Sequence, residues 1–256
     1  MTVAIVTGAG SGMGRACAAR LRSTADHLLA VDLREPEVEG AVGVACDVSD
    51  PSAVEALVAQ VAALGQFRAL VHAAGLSPTM ADPRRIVDVN LCGTVRLLDA
   101  FEPLVTAGSA AVCFSSSAGY IPLELLGPEL TELINDPRAD GFLDRVAELL
   151  TDSGLAYAWS KKGVQLEAAK AAVRWGPKGG RVVSLSPGLI DTPMGRQEFE
   201  NQPVMKDMLD STPLGRFGTA DELAAVAAFL VSDEASYVSG VDVLADGGQG
   251  ATASWT

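Results

Sequence analysis

A chain of 256 residues, 48% of them hydrophobic, is long enough to bury roughly 70–75% of its unfolded surface in one domain. Its net charge of −13 excludes a nucleic-acid surface or an anionic membrane as partner, because either polyanion is repelled by the field of the whole molecule. No apolar run approaches the roughly 18 residues of a membrane span, and no basic region precedes the first apolar run. Neither a transmembrane helix nor a secretory leader is therefore expected, and the expected location is the cytoplasm.

Short apolar runs alternate with helical periodicity along the chain. Residues 3–7 read as a first strand and 14–21 as a helix, with further strands at 27–32, 41–46, 68–72, 109–115, 180–186 and 241–246. Asp50-Pro51 opens a helix whose Val54, Leu57, Val58 and Val61 recur at helical spacing until Gly65 stops it. Thr219 and Glu222 carry a capping-box signature for a helix running to about 231. This alternation predicts an α/β domain built on a doubly wound parallel sheet of about seven strands, with right-handed crossovers and ligands beyond the carboxyl ends of the strands. Cys17, Cys46, Cys92 and Cys113 lack Cys-x-x-Cys spacing and read as small buried hydrophobes. His27 and His72 stand at strand ends, where a structural role is expected, so no metal site is predicted.

Two motifs carry chemistry. Thr7-Gly8-Ala9-Gly10-Ser11-Gly12-Met13-Gly14 follows the first strand and opens the first helix, the setting that a Rossmann-like dinucleotide fingerprint requires. Gly8 suits the tight turn, Gly12 lets backbone approach a pyrophosphate, Gly14 permits close packing, and the helix N-terminus attracts the phosphate charge. Asp32 closes the second strand, where a carboxylate can accept hydrogen bonds from ribose hydroxyls and repel a 2′-phosphate. NAD is expected over NADP, although Arg15 or Arg34 could neutralise a phosphate. The second motif is Tyr157-Ala158-Trp159-Ser160-Lys161. Residues four apart share a helix face, so the Lys161 ammonium lies near the Tyr157 phenol and favours its ionised form.

Together these residues resemble the short-chain dehydrogenase/reductase family, from Val3 to about Gly248. The resemblance extends to Asp47 and Val48 beside the adenine, Ala74-Gly75 after the fourth strand, Asn90, and Pro187-Gly188 with Ile190 and Thr192 at the nicotinamide. It implies that Tyr157 is the acid/base, that Lys161 lowers the phenol pKa and holds the nicotinamide ribose, and that Ser116 hydrogen-bonds the substrate oxygen. Asn90 would organise a water relay behind the lysine. The implied cofactor-binding set is Gly8, Gly12, Met13, Gly14, Asp32, Asp47, Val48, Ala74, Gly75, Tyr157, Lys161, Pro187, Gly188, Ile190 and Thr192. Ser115 and Ser117 compete with Ser116, but strand alternation puts them on the other side. Asp47 can also be read as a helix N-terminal residue and Asn90 as a group satisfying helix backbone.

Two departures from the family pattern stand out. His72-Ala73-Ala74-Gly75 replaces the common Asn-Asn-Ala-Gly, and Ser116 lies 41 positions before Tyr157, far more than the family usually allows. The intervening residues, roughly 120–153, carry eight acidic and two basic residues. Leu123, Leu126, Leu130, Leu133 and Ile134 form one near-helical stripe and Phe142, Leu143, Val146, Leu149 and Leu150 another, with Asp136-Pro137 between them. With nowhere internal to dock, such helices are expected to cover the active site or a second subunit. This insertion and Asp32-Leu33-Arg34 make the chain similar to bacterial 3α-hydroxysteroid dehydrogenase/carbonyl reductases.

Residues 189–217 include Met194, Phe199, Val204, Met205, Met208 and Leu209 and read as a substrate-binding loop that forms an adaptable apolar lid. The expected function is NAD-dependent interconversion of a secondary alcohol and a ketone on a bulky apolar substrate, a hydroxysteroid among the candidates, in a homo-oligomer (dimer or tetramer). Reduction of a 3-oxoacyl thioester, or a non-catalytic nucleotide-sensing module, are the alternatives.

Overall fold

The structure, a computed structural model, describes residues 1–122 and 126–254. Its elements are β1 (Thr2–Thr7), α1 (Gly12–Arg20), β2 (His27–Asp32), β3 (Val42–Ala45), α2 (Pro51–Leu64), β4 (Gln66–His72), α3 (Pro83–Val87), α4 (Gly93–Phe101), β5 (Ala110–Phe114), α5 (Gly127–Leu133) and α6 (Phe142–Leu149). They continue with α7 (Ser153–Trp175), β6 (Arg181–Pro187), β7 (Ile190–Asp191), α8 (Pro193–Asn201), α9 (Val204–Ser211), β8 (Gly218–Thr219), α10 (Ala220–Val231), β9 (Asp242–Ala245) and α11 (Gln249–Ser254).

Seven strands pair in the order β3-β2-β1-β4-β5-β6-β9, every pairing parallel. Parallel strands need crossovers, and here these cover both faces, so strands such as β5 (Ala-Ala-Val-Cys-Phe) are buried throughout and read as continuous apolar runs. On one face Cys17, Ala18 and Leu21 of the first helical layer meet Leu223, Ala227 and Leu230 of α10. On the other, Val54, Leu57, Leu97, Phe101, Val164 and Trp175 bring α2, α4 and α7 onto the sheet. Local signals set the helix ends: Asp50 caps α2 through the Ser52 N–H, and Thr219 and Glu222 form a reciprocal capping box on α10. Strand order reverses between β1 and β4, which opens a crevice at their carboxyl ends.

The expectation that the stripes of 120–153 lack an internal dock is corrected here. Leu130, Ile134, Phe142, Val146 and Leu150 are buried with Val87, Leu91, Val95, Ala156 and Trp159 in a third cluster, on the outer side of α3, α4 and α7. Phe142 stacks on Trp159 at 6.1 Å between centroids, and the indole N–H donates to the Leu130 carbonyl at 3.2 Å. Each such fully buried side chain contributes roughly 1.5–3 kcal/mol. Arg138, beside the helix-breaking Pro137, donates to both carboxylate oxygens of Asp99 and to Glu167, which has no exposure at all. Leu123 lies outside the described residues.

Candidate active site

At the switch point the loops after β1 and β4 lie back to back. Gly8 has φ +70°, and a Cβ there would stand 2.7 Å from the Ala74 nitrogen. A Cβ on Gly14 would collide with the Gly8 carbonyl oxygen. The fingerprint glycines are thus demanded by close backbone approach. Ser11 makes no side-chain cap on α1, which leaves the first-turn amides available to an anion. Asp32 Oδ2 accepts the Gly10 N–H and Oδ1 accepts the Leu33 N–H, both at 2.8 Å.

A cavity of about 470 Å³ extends from this loop, lined by Gly12, Met13, Asp32, Asp47, Val48, Gly75, Tyr157, Lys161 and Thr192 among others. An anion-binding helix N-terminus, a strand-end carboxylate and a glycine cradle fit a dinucleotide. Pro187, Gly188 and Ile190 are not among the residues that line the cavity. A Gly188 Cβ would lie 2.7 Å from Asp246 Cα, and Ile190 is buried in the core beneath α10. A larger concavity of about 730 Å³ lies between α2, α4 and the segment around Arg138 and shares no lining residue with this cavity.

Tyr157 and Lys161 sit one turn apart on α7, with Nζ 5.8 Å from the ring centroid. Lys161 Nζ donates to the Phe114 carbonyl at 2.9 Å, and burial lowers its pKa to about 8. Burial raises the Tyr157 pKa, a side-chain hydrogen bond with Ser116 lowers it, and the charge of Glu198 raises it. The lowering expected from Lys161 is not among these influences, and Ser116 is the group that opposes desolvation. Ser116 caps a tight turn through the Ala118 N–H at 3.1 Å, whereas the Ser115 hydroxyl turns to the Lys161 carbonyl at 2.7 Å.

Asn90 occupies a π-helical turn, Asp88–Cys92, between α3 and α4. Its Oδ1 accepts the Leu76 N–H at 2.7 Å and its Nδ2 donates to the Leu76 carbonyl at 3.0 Å. Asn90 therefore pins the loop after β4 against α7. Asp47 is held by Ser49 and by the Arg85 guanidinium at 3.1 Å, while the cap of α2 falls to Asp50.

Arg85 and Glu198 went unmarked in the sequence, and Gly10 and His72 make contacts beyond the roles read from it. Gly10 shapes the loop through Asp32, and Arg85 lines the cavity while holding Asp47. Glu198 is buried on α8. His72 is buried with Nδ1 2.7 Å from the Thr7 hydroxyl, and burial lowers its pKa to about 3. The strand-end position of His72 was visible in sequence, but the partners of all four come from other elements.

Residues 2–127 match a family model described as short chain dehydrogenase, and residues 145–249 one described as Enoyl-(Acyl carrier protein) reductase. D-threitol dehydrogenase of Mycolicibacterium smegmatis is 32% identical, over 96% of this chain and 92% of its own length. The 3-alpha-hydroxysteroid dehydrogenase/carbonyl reductase of Comamonas testosteroni is 28% identical, over 97% of this chain and 96% of its own. The structure of 3-alpha-hydroxysteroid dehydrogenase from Pseudomonas sp. B-0831 complexed with NADH is similar over the whole of both chains, with a TM-score of 0.84 at 28% identity.

Proposed function

The chain belongs to the short-chain dehydrogenase/reductase family, an NAD(P)-dependent oxidoreductase of alcohols and ketones, and from that premise we propose that it uses NAD on a bulky, largely apolar secondary alcohol or the matching ketone. One observation carries the reading: a phenol and a buried lysine one turn further along the same helix both line the glycine-loop cavity, with the ammonium 5.8 Å from the ring centroid and a serine close enough to lower the phenol's pKa. Tyr157 takes the alcohol proton in oxidation and returns it to the carbonyl oxygen in reduction. Ser116 orients the substrate oxygen toward that phenol, Lys161 holds the nicotinamide ribose, and Asn90 fixes the loop behind the lysine. The bound nicotinamide supplies or accepts the hydride.

NAD is favoured by Asp32 at the cavity rim. The apolar substrate is supported by Met194 on the cavity wall and by Phe199 of α8 and Phe217, whose rings meet edge to face at 5.2 Å. The likeness to proteins named for 3-alpha-hydroxysteroids puts a hydroxysteroid among the substrates to try. Four buried free cysteines support a reducing compartment, the cytoplasm. Phe229, Tyr237 and Val241, exposed near the outer sheet edge, support a homo-oligomer.

Turnover of hydroxysteroids, aliphatic secondary alcohols and 3-hydroxyacyl thioesters with NAD and NADP, followed by nicotinamide absorbance, tests the proposal. Faster oxidation of thioesters than of any alcohol would replace it with the acyl-thioester reading.

A further inference from the structure

Helix α8 follows the nicotinamide-side loop and roofs the crevice, and Glu198 is its buried residue. An amphipathic helix ordinarily docks through apolar side chains, whereas here a carboxylate 5% exposed points inward. Its oxygens are met by neutral donors. The Ser77 hydroxyl donates to Oε1 at 2.7 Å, the Thr79 hydroxyl and N–H also reach Oε1, and the Gln202 amide donates to Oε2. Ser77 and Thr79 belong to the segment that continues from Gly75 and Leu76 on the cavity wall, so the carboxylate sits where the roof meets the wall.

A carboxylate offers about four lone-pair sites. Oε1 is fully subscribed, while Oε2 holds one donor and keeps room for another. Met194, one turn before Glu198 on α8, and Leu76, Met80 and Ala81, which flank Ser77 and Thr79, all line the same cavity as Tyr157, so the carboxylate lies on the catalytic side of the roof. A buried charge without a cation is costly and calls for further donors. A substrate hydroxyl entering beside Tyr157 supplies one.

We propose that Glu198 is a specificity-determining residue which accepts a hydrogen bond from a second hydroxyl of the substrate, next to the one being oxidised, so that the enzyme prefers diols and hydroxyketones to alcohols with a single polar group. The proposal rests on the alcohol dehydrogenase reading and narrows its substrate class. A site built to bind a hydroxyl discriminates against the analogue lacking it, because the buried acceptor is left unpaired.

The test compares kcat/KM for a vicinal cyclohexanediol and for cyclohexanol, with NAD, in wild type, Glu198→Gln and Ser77→Ala, each shown by NADH fluorescence to bind cofactor. Wild type should favour the diol by about tenfold or more. Glu198→Gln should lower that ratio severalfold, and Ser77→Ala, which removes a roof contact but leaves the carboxylate, should preserve it. Equal losses on both substrates in Glu198→Gln would show a purely structural tie and overturn the assignment. Wild type oxidising both equally well would overturn it too, leaving the dehydrogenase reading in place. No oxidation of either alcohol, nor of the wider panel, would overturn both.

Discussion

Asp32 Oδ2 accepts the Gly10 N–H at 2.8 Å, so the carboxylate expected to select the cofactor also shapes the loop expected to hold the pyrophosphate. The two roles separate by substitution. Asp32→Asn keeps an acceptor for Gly10 and removes the charge, so kcat/KM with NAD should fall by about tenfold while the ratio of NADP to NAD rises. Asp32→Ala should weaken both cofactors, because the loop loses its anchor. A wild-type preference for NADP would overturn the selection role.

Tyr157→Phe should lower turnover by about 10²–10⁴-fold while NADH binding, measured by fluorescence, stays close to wild type. The ring still packs and only the proton carrier is gone. A variant retaining most of its rate would rule out the assigned acid/base.

Ser116 opposes the burial that raises the Tyr157 pKa. Oxidation needs the ionised phenol, so its rate rises with pH through that pKa. Removing the hydrogen bond in Ser116→Ala should move this rise to higher pH as well as slow the reaction. An unshifted profile of kcat/KM against pH would show that the hydroxyl acts only on the substrate.

His72 is buried neutral with its pKa lowered to about 3. Its ordinary value is near 6.5, so between pH 6.5 and 3 the unfolded chain binds a proton that the folded chain refuses, and stability falls as pH falls through that window. The cost approaches about 4–5 kcal/mol at the acid end. His72→Asn should flatten that part of the stability curve in urea denaturation and leave stability above pH 7 little changed in slope. Equal slopes would show that the acid loss comes from other groups.

How far the site was legible in sequence follows from the range of the contacts involved. The Thr219–Glu222 box and the Asp50 cap span three residues or fewer, and the glycine fingerprint is imposed by one turn and its neighbour. Such features survive a one-dimensional reading. Family order pointed to Tyr157, Lys161 and Ser116, of which Tyr157 and Lys161 line the cavity while the serine on its wall is Ser115. Arg85 on Asp47, Glu198 on Ser77 and Arg138 on Glu167 join residues 38, 121 and 29 positions apart, and nothing local marks either partner. The same limit explains the misread insertion. Its stripes were visible, but the face receiving them is assembled from Val87, Leu91, Val95 and Trp159 on separate helices.

That receiving face yields the last prediction. Glu167 is fully buried, and Arg138 and Lys170 are its cationic partners, at 2.7 and 2.8 Å. Removing one partner from a buried ion pair costs more than the pair contributes, because the remaining charge is stranded. Lys170 stays in place and Arg138 is partly exposed, so Arg138→Met should cost only about 2 kcal/mol, read as a lower urea midpoint with unchanged slope. Replacing 120–153 with a short Gly/Ser connector strips the cover from Val87, Leu91, Val95 and Trp159 altogether. The variant should bind an apolar dye and increase in mass by light scattering, as an exposed apolar patch of that kind associates. The contrast between the two variants is the test: Arg138→Met should keep the wild-type mass and the connector variant should not. An unchanged mass and no dye binding in the connector variant would show that α3, α4 and α7 close over their own face, leaving the insertion without a covering role.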